Sequence, residues 1–191
     1  MKTHLIFILA ILISLPISAN ELNNDVNDEI RKNNLKVTIL SIFSGSLKLT
    51  YERQIVRNQS LEVTIGAIGP AFDILKKSSP LGALGRLAYK FIFPMSGQNG
   101  LEGWYVKPEI AFSSYSYYNK DMLQRYRVDK MAIMAVGGYQ FVFNWFVLDI
   151  FLGGGGGIGN SQKSNYHHGF ITFNTKSNIV FTAGFKVGVA F

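Results

Sequence analysis

The chain has no cysteine, which removes disulfide staples, thiolate metal centres and a cysteine nucleophile together. It has only five prolines, and charged residues make up just 16 % of it. Beyond its N-terminal segment it has no apolar run approaching the roughly 20 residues that a membrane-crossing helix requires. The formal net charge is +7, but the basic residues are scattered and form no recognition motif, so no nucleic acid partner is expected.

What is present is hydrophobicity in short, interrupted portions. Hydrophobic residues account for 48 % of the chain, aromatics for 14 %, and there are 19 glycines. The one long apolar run follows Lys2 and His4, from Leu5 to Ile17, and ends on Ser18-Ala19. A basic start, a short apolar stretch and a small residue at the junction predict a signal peptide over 1–19. Residues 20–34 are polar and Asn-rich and read as a periplasmic lead. The remainder, 35–191, has a one-domain length.

Within that domain the C-terminal stretch is the clearest signal. Ile179, Phe181, Ala183, Phe185, Val187, Val189 and Phe191 alternate with Val180, Thr182, Gly184, Lys186, Gly188 and Ala190. A period of two with one apolar face is that of a half-wet strand. Eight such strands are expected, near 35–43, 47–55, 61–69, 83–93, 103–115, 128–143, 146–158 and 178–191. Ser44-Gly45-Ser46 reads as a three-residue hairpin loop joining Phe43 to Leu47. That register sets Lys36 opposite Gln54. Asn144-Trp145 reads as a two-residue loop joining Phe143 to Phe146, with Asp149 opposite Gln140, or, since Trp is a poor second residue for a type I′ turn, as a hairpin one residue longer. The long connections, 70–82, 116–127 and 159–177, all fall at one end, and Pro70 to Lys77 is expected to make one helical turn there. Phe91, Phe93, Trp104, Phe143, Trp145, Phe146 and Phe191 gather at the other end.

This pattern resembles bacterial outer-membrane β-barrels, in particular small barrels of the OmpA/OmpX type. The residues that carry the resemblance are Gly45–Arg53, Gly103–Glu109, Phe146–Gly154 and the terminal strand. The resemblance implies an all-β fold, an eight-stranded antiparallel up-and-down transmembrane β-barrel in the cell outer membrane. It also implies that Phe185, Val187, Val189 and Phe191 form the signal read by the barrel-assembly machinery. A monomer is expected, with outer-membrane lipid and lipopolysaccharide as neighbours. The resemblance transfers no catalytic residue.

The pleat assigns faces. Leu47, Leu49, Tyr51, Leu61, Val63, Ile65, Leu87, Tyr89, Phe91, Trp104, Val106, Ile110, Phe112, Ile133, Tyr139, Phe141, Leu148, Ile150 and Leu152 are expected to meet lipid. Lys36, Lys48, Glu52, Glu62, Arg86, Lys90, Lys107, Glu109, Lys130, Gln140, Asp149 and Lys186 are expected inside. An eight-stranded barrel has room only for its own side chains, so these twelve read as a salt-bridged core. The alternative is a narrow small-solute pore favouring anions.

Three further features bear on function. Gly153–Gly157 has no following Gly-Lys-Ser/Thr and reads as a strand whose missing side chains permit close packing. Ser164, His167 and His168 form the only catalytic candidate, for a lipid A deacylase or acyltransferase. No acid lies between Gln162 and the C-terminus, so Asp121 or Asp129 would have to complete a triad. The bland reading is a pair of solvated loop histidines. They have no third metal ligand near them, and neither metal nor cofactor is expected. Lys76, Lys77, Lys120, Arg125 and Arg127, with Lys163 and Lys176, form basic outer loops suited to phosphate, beside an aromatic surface of Tyr115, Tyr117, Tyr118 and Tyr126. The reading that emerges is a structural or surface-interaction barrel without enzymatic activity. A soluble lipocalin-like carrier, with its apolar face turned inward, shares the alternation.

Overall fold

A computed structural model describes residues 31–73, 80–93, 100–119, 124–160, 166–173 and 177–191. The signal peptide, most of the polar lead, Lys76, Lys77, Lys120, Asp121, Lys163, Ser164 and Lys176 lie outside the described residues. The elements are β1 (Asn33–Thr38), α1 (Ile39–Phe43), β2 (Ser44–Val56), β3 (Gln59–Asp73) and β4 (Leu81–Phe93). They continue with β5 (Gly103–Asn119), β6 (Gln124–Phe143), β7 (Phe146–Asn160), the two-residue β8 (Ile171–Thr172) and β9 (Ile179–Ala190). Each long strand pairs antiparallel with its neighbour in sequence, β7 pairs with β9, and β9 returns to β1. The result is a closed eight-stranded antiparallel barrel, with β8 as an accessory strand. Closure gives every wall strand a paired neighbour on both sides, which is how a barrel avoids a free sheet edge.

The two-residue period sets what lines each side. On β9, Val180, Thr182, Lys186 and Ala190 are buried, while Ile179, Phe181 and Val189, and Phe191 just after it, are exposed. On β5, Tyr105, Lys107, Glu109 and Ala111 point inward, while Trp104, Val106, Ile110 and Phe112 point outward. Asp149 faces Gln140 and Phe143 faces Phe146 across the β6–β7 hairpin, as its two-residue loop predicts. Asn144 takes the left-handed position there, at φ 53°. This hairpin, the two-residue Arg57-Asn58 turn, the β4–β5 connection and Phe191 define one end, called here the turn end. Phe93 pairs with Trp104 at this end, and Phe143, Trp145 and Phe191 are exposed beside them.

Five expectations fail, all at the opposite, loop end. The first strand stops at Thr38, and Ile39–Phe43 forms a helical turn instead of strand. Strand alternation would have turned Leu40 and Ile42 into a polar interior. The turn buries Ser41 alone and leaves Leu40 and Phe43 outside. The Ser41 hydroxyl donates to the Thr38 carbonyl at 2.7 Å. Ser44-Gly45-Ser46 is therefore not a tight hairpin, and Lys36 sits opposite Thr50 rather than Gln54, with Asn34 opposite Glu52.

The connection expected over 116–127 is largely strand, since β5 runs to Asn119 and β6 starts at Gln124. Direct pairing of Tyr117 with Tyr126 and their stacking at 5.9 Å explain the extension. Pro70 to Asp73 likewise continues β3 rather than starting a helical turn. Finally, Tyr115 and the histidine pair are buried, for reasons that the candidate site makes clear.

Shortening β1 has a structural consequence. Its pairing with β9 ends at Thr38 opposite Lys186, so the edge of β9 toward the loop end has no β1 partner. The β8 strand takes that place, with Ile171 opposite Phe181 and Thr172 opposite Val180. This sector of the wall is thus a patch made of α1 and β8.

Candidate functional site

The structure places all twelve expected interior residues inside the barrel, each buried. It brings most of them into one ionic network. Lys36 Nζ lies 2.7 Å from Glu52, 2.8 Å from Asp149 and 3.2 Å from Glu62, and donates to Gln140 at 2.9 Å. Lys90 meets Glu52 at 2.8 Å. Lys107 and Lys186 both meet Glu62 Oε1 at 2.5 Å, and Lys107 also meets Glu109 at 3.2 Å. Arg86 pairs with Glu109.

Sequence reading missed several members of this network. Tyr105 donates to Asp149 at 2.5 Å and supports Lys90 Nζ 4.2 Å from its ring centroid. Asn34 and Ser60 donate to Glu52 at 3.0 and 2.6 Å. Their inward parity was the available signal. Each carboxylate here has several partners, which is the condition for tolerating buried charge.

Two interior cations are not absorbed. Among the described residues the buried charges are seven cations and four carboxylates. Lys48 and Lys130 have no ion pair or hydrogen bond within that set. Lys48 is only 6 % exposed. Its charged surroundings are Arg86, Lys186 and Glu109, and Glu109 is already engaged by Arg86 and Lys107.

The space above the network is filled by a folded-in segment, Tyr166–Phe170. On β7, Gly153, Gly155 and Gly157 occupy inward positions, alongside Ala111 and Ala132 on neighbouring strands. A Cβ at Gly153 would come within 2.6 Å of the Ala135 carbonyl oxygen, and one at Gly155 would overlap that of Ile133. The β7 backbone thus runs too close to β6 to admit a side chain at either position. Phe170 packs in one cluster with Ala111, Ala132, Met134, Phe151 and Val180.

Three hydroxyls tether the segment: Tyr115 donates to the Tyr166 carbonyl at 3.0 Å, Thr182 donates to the Gly169 carbonyl at 3.3 Å, and Ser44 bonds the Tyr166 hydroxyl. His168 carries the turn at φ 60°, in the left-handed region that histidine visits more readily than most residues.

The histidines are accordingly not solvated: His167 is 0 % exposed and His168 5 %. His167 Nδ1 lies 3.2 Å from the Tyr115 hydroxyl, and the Tyr115 ring meets His168 edge-on at 5.0 Å. Burial lowers both imidazoles to about 4, helped by Lys130 beside His167 and Lys48 beside His168. Both are neutral at pH 7. Neither is hydrogen-bonded to a carboxylate among the described residues. Asp129 is committed elsewhere, accepting from Ser114 at 2.5 Å and pairing with Arg127 at 3.0 Å. Of the basic loop residues, Arg125 and Arg127 are exposed on the first turns of β6. Tyr117, Tyr118 and Tyr126 remain partly or fully accessible, whereas Tyr115 does not.

Between the folded-in segment and α1 lies a cavity of about 220 Å³. Thr38, Ser41, Ser44, Lys48, Arg86, Tyr166, His168 and Thr182 form its polar side, and no carboxylate lines it. Leu40, Ile171, Phe181 and Ala183 also line it, and these are outward-facing residues. The cavity thus reaches the outer surface through the seam between α1 and β8–β9. No family model, curated protein or solved structure matches the chain.

Proposed function

We infer that the protein is an integral barrel of the bacterial outer membrane, structural or surface-interacting, with a filled interior and no catalytic role. One observation carries the reading: the polarity of the barrel is inverted relative to a soluble protein. Seven cations and four carboxylates are buried, while Ile110, Phe112, Ile133, Ile150 and Leu152 are exposed. In water, such a continuous apolar exterior far exceeds the few hundred Å² a soluble monomer tolerates. Around an acyl-chain solvent it is the stable arrangement. A lipocalin-like carrier would place the same faces the other way round.

The band has the appropriate height. On β5 the outward residues are apolar from Trp104 to Phe112, a stretch of nine, against about 9–11 residues for a tilted spanning strand. Beyond it the outward positions become Ser114 and Ser116, opposite Asp129 and Arg127. The exposed aromatics at the turn end fit an interfacial girdle. The polar β5–β6 extension then stands in solvent on the surface side, where its Arg and Tyr side chains meet lipopolysaccharide phosphate or other surface partners. The ionic network and the Tyr166–Phe170 segment fill the lumen, which favours a solid barrel over a solute pore.

The deciding experiment is Ile110→Arg in the protein refolded into lipid. A guanidinium on the lipid face near the membrane midplane costs about 2–4 kcal/mol, read from reversible denaturant unfolding. Wild-type-like stability in lipid, or recovery of the wild type as a detergent-free soluble species, refutes the membrane assignment.

A further inference from the structure

We propose that the cavity behind the α1–β8 seam is a binding site for a single-chain or lipid-borne anionic amphiphile, whose phosphate or carboxylate head contacts Lys48, Arg86 and His168. The proposal goes beyond the structural role inferred for the barrel.

Four polar atoms or groups on the cavity wall lack partners at once. Lys48 has no ion pair or hydrogen bond among the described residues, and Arg86 Nε, His168 Nδ1 and Thr38 Oγ1 are buried with no partner. Leaving such groups unpaired in a dry interior costs free energy at each of them. The rest of the interior shows that this chain pairs its buried charges where partners exist. The lysine and the arginine can only donate, and the hydroxyl and the imidazole can donate as well. A set of convergent donors with an excess positive charge, and no carboxylate on the wall, is complementary to an oxyanion.

The chemistry of the opening identifies what the oxyanion is attached to. At about 220 Å³ the cavity is smaller than the roughly 300–1,000 Å³ of sites that enclose a whole drug-sized ligand. It holds a head group, not a complete lipid. Its lining includes Leu40, Ile171, Phe181 and Ala183 of the outer wall, so it opens toward the apolar face. A free phosphate would gain nothing from those side chains. An alkyl chain leaving the head group would lie along them, in continuity with the membrane.

The wall is open at this place for a reason present in the fold. The β1 strand ends at Thr38, and the two-residue β8 covers only Val180 and Phe181 of the β9 edge. Arg86 Nη2 donates to Thr182 at 3.1 Å, and Thr182 holds Gly169. The cation is thereby fixed at the back of the cavity with its Nε free.

The test uses the refolded mature chain in maltoside micelles, with dodecyl phosphate as the probe, followed by ³¹P resonance shifts and by native mass spectrometry. Dodecyl phosphate is expected to bind saturably, one per barrel. Inorganic phosphate should bind at least roughly tenfold more weakly, and dodecyltrimethylammonium should not saturate. Lys48→Met should weaken dodecyl phosphate by roughly tenfold or more, the scale of one lost charge-assisted contact, and Lys48→Arg should largely retain it. Ala183→Trp, which narrows the seam from the lipid side, should weaken dodecyl phosphate without changing inorganic phosphate binding. It serves as the test if Lys48→Met does not fold. Absence of a saturable site in the folded wild type overturns the proposal, as does equal binding by Lys48→Met. Equally tight inorganic phosphate would also overturn it, reducing the cavity to a plain oxyanion pocket. Because all arms are read on barrels already shown to be folded, failure here leaves the membrane assignment standing.

Discussion

The two halves of the barrel interior solve the same problem by different means. Toward the turn end and the middle, five cations and four carboxylates interlock, and Glu62 alone lies within ion-pair range of Lys36, Lys90, Lys107 and Lys186. Toward the loop end the walls carry small residues, a piece of the chain folds in as filler, and Lys48 and Lys130 are left over. The first half is rigid because each charge depends on the others. The second is assembled from a segment that can in principle leave, and it contains a cavity with unpaired donors. Stability is concentrated in one half and binding capacity in the other, a common division of labour, since binding regions come from the less stable parts of a fold.

The comparison can be broken most forcefully at Glu62. Glu62→Gln leaves four buried lysines short of a counter-charge, and breaking a buried ionic set by removing one partner costs roughly 3–5 kcal/mol. Denaturant unfolding in lipid should show that loss, and a change below 1 kcal/mol would mean that the network is not cooperative.

Next comes Phe170→Ala, which empties the filler from its cluster. Phe to Ala in a core costs about 3–5 kcal/mol. The low end is expected here because the residue borders an existing cavity. Its effect should be local: faster proteolysis between Asn160 and Ser177 with the turn-end strands still protected from hydrogen exchange.

A third effect is pH-dependent. Both histidines titrate near 4 in the docked segment against about 6.5 when released. Between those values the released segment takes up protons that the docked one does not. Docking is therefore fully favourable above about pH 6.5 and weakens as the pH falls toward 4, by at most about 1.4 kcal/mol per unit for each histidine. Exchange of the Tyr166–Phe170 amides should accelerate across that window, and in His167→Phe the dependence should halve.

The smallest effect is expected at Lys130. It has no partner to strand among the described residues, so Lys130→Met should be neutral or stabilising by about 1 kcal/mol, the opposite sign to Glu62→Gln. A clear destabilisation would show that the loop-end cations are paired after all.

How much of this was legible in the amino-acid sequence differs along the barrel. Where strands run from end to end, alternation alone placed Lys36, Glu52, Glu62, Lys107 and Asp149 inside and Val106, Ile110 and Ile150 outside, because parity leaves only two choices. The β6–β7 register was legible from its two-residue loop. The β1–β2 register was not. Ile39–Phe43 satisfies both a strand and a helical turn locally, and the burial of Ser41 against two apolar neighbours decides between them only once the wall exists. The His167–His168 pair looked solvated because it lies between strands. Nothing local says that a connection will turn inward.

The sequence by itself determined the strand number, the two faces of each strand and the presence of a charged set opposed to an apolar one. These depend on residue type and a period of two, which are properties of neighbours along the chain. Only the tertiary structure decided which charges find partners, that Phe170 turns inward to pack with Ala111, Ala132 and Met134, and that Lys48, Arg86 and His168 converge behind an apolar seam. Those are contacts between residues up to about 120 positions apart, and they are set by closure of the barrel and by competition for the little space inside it.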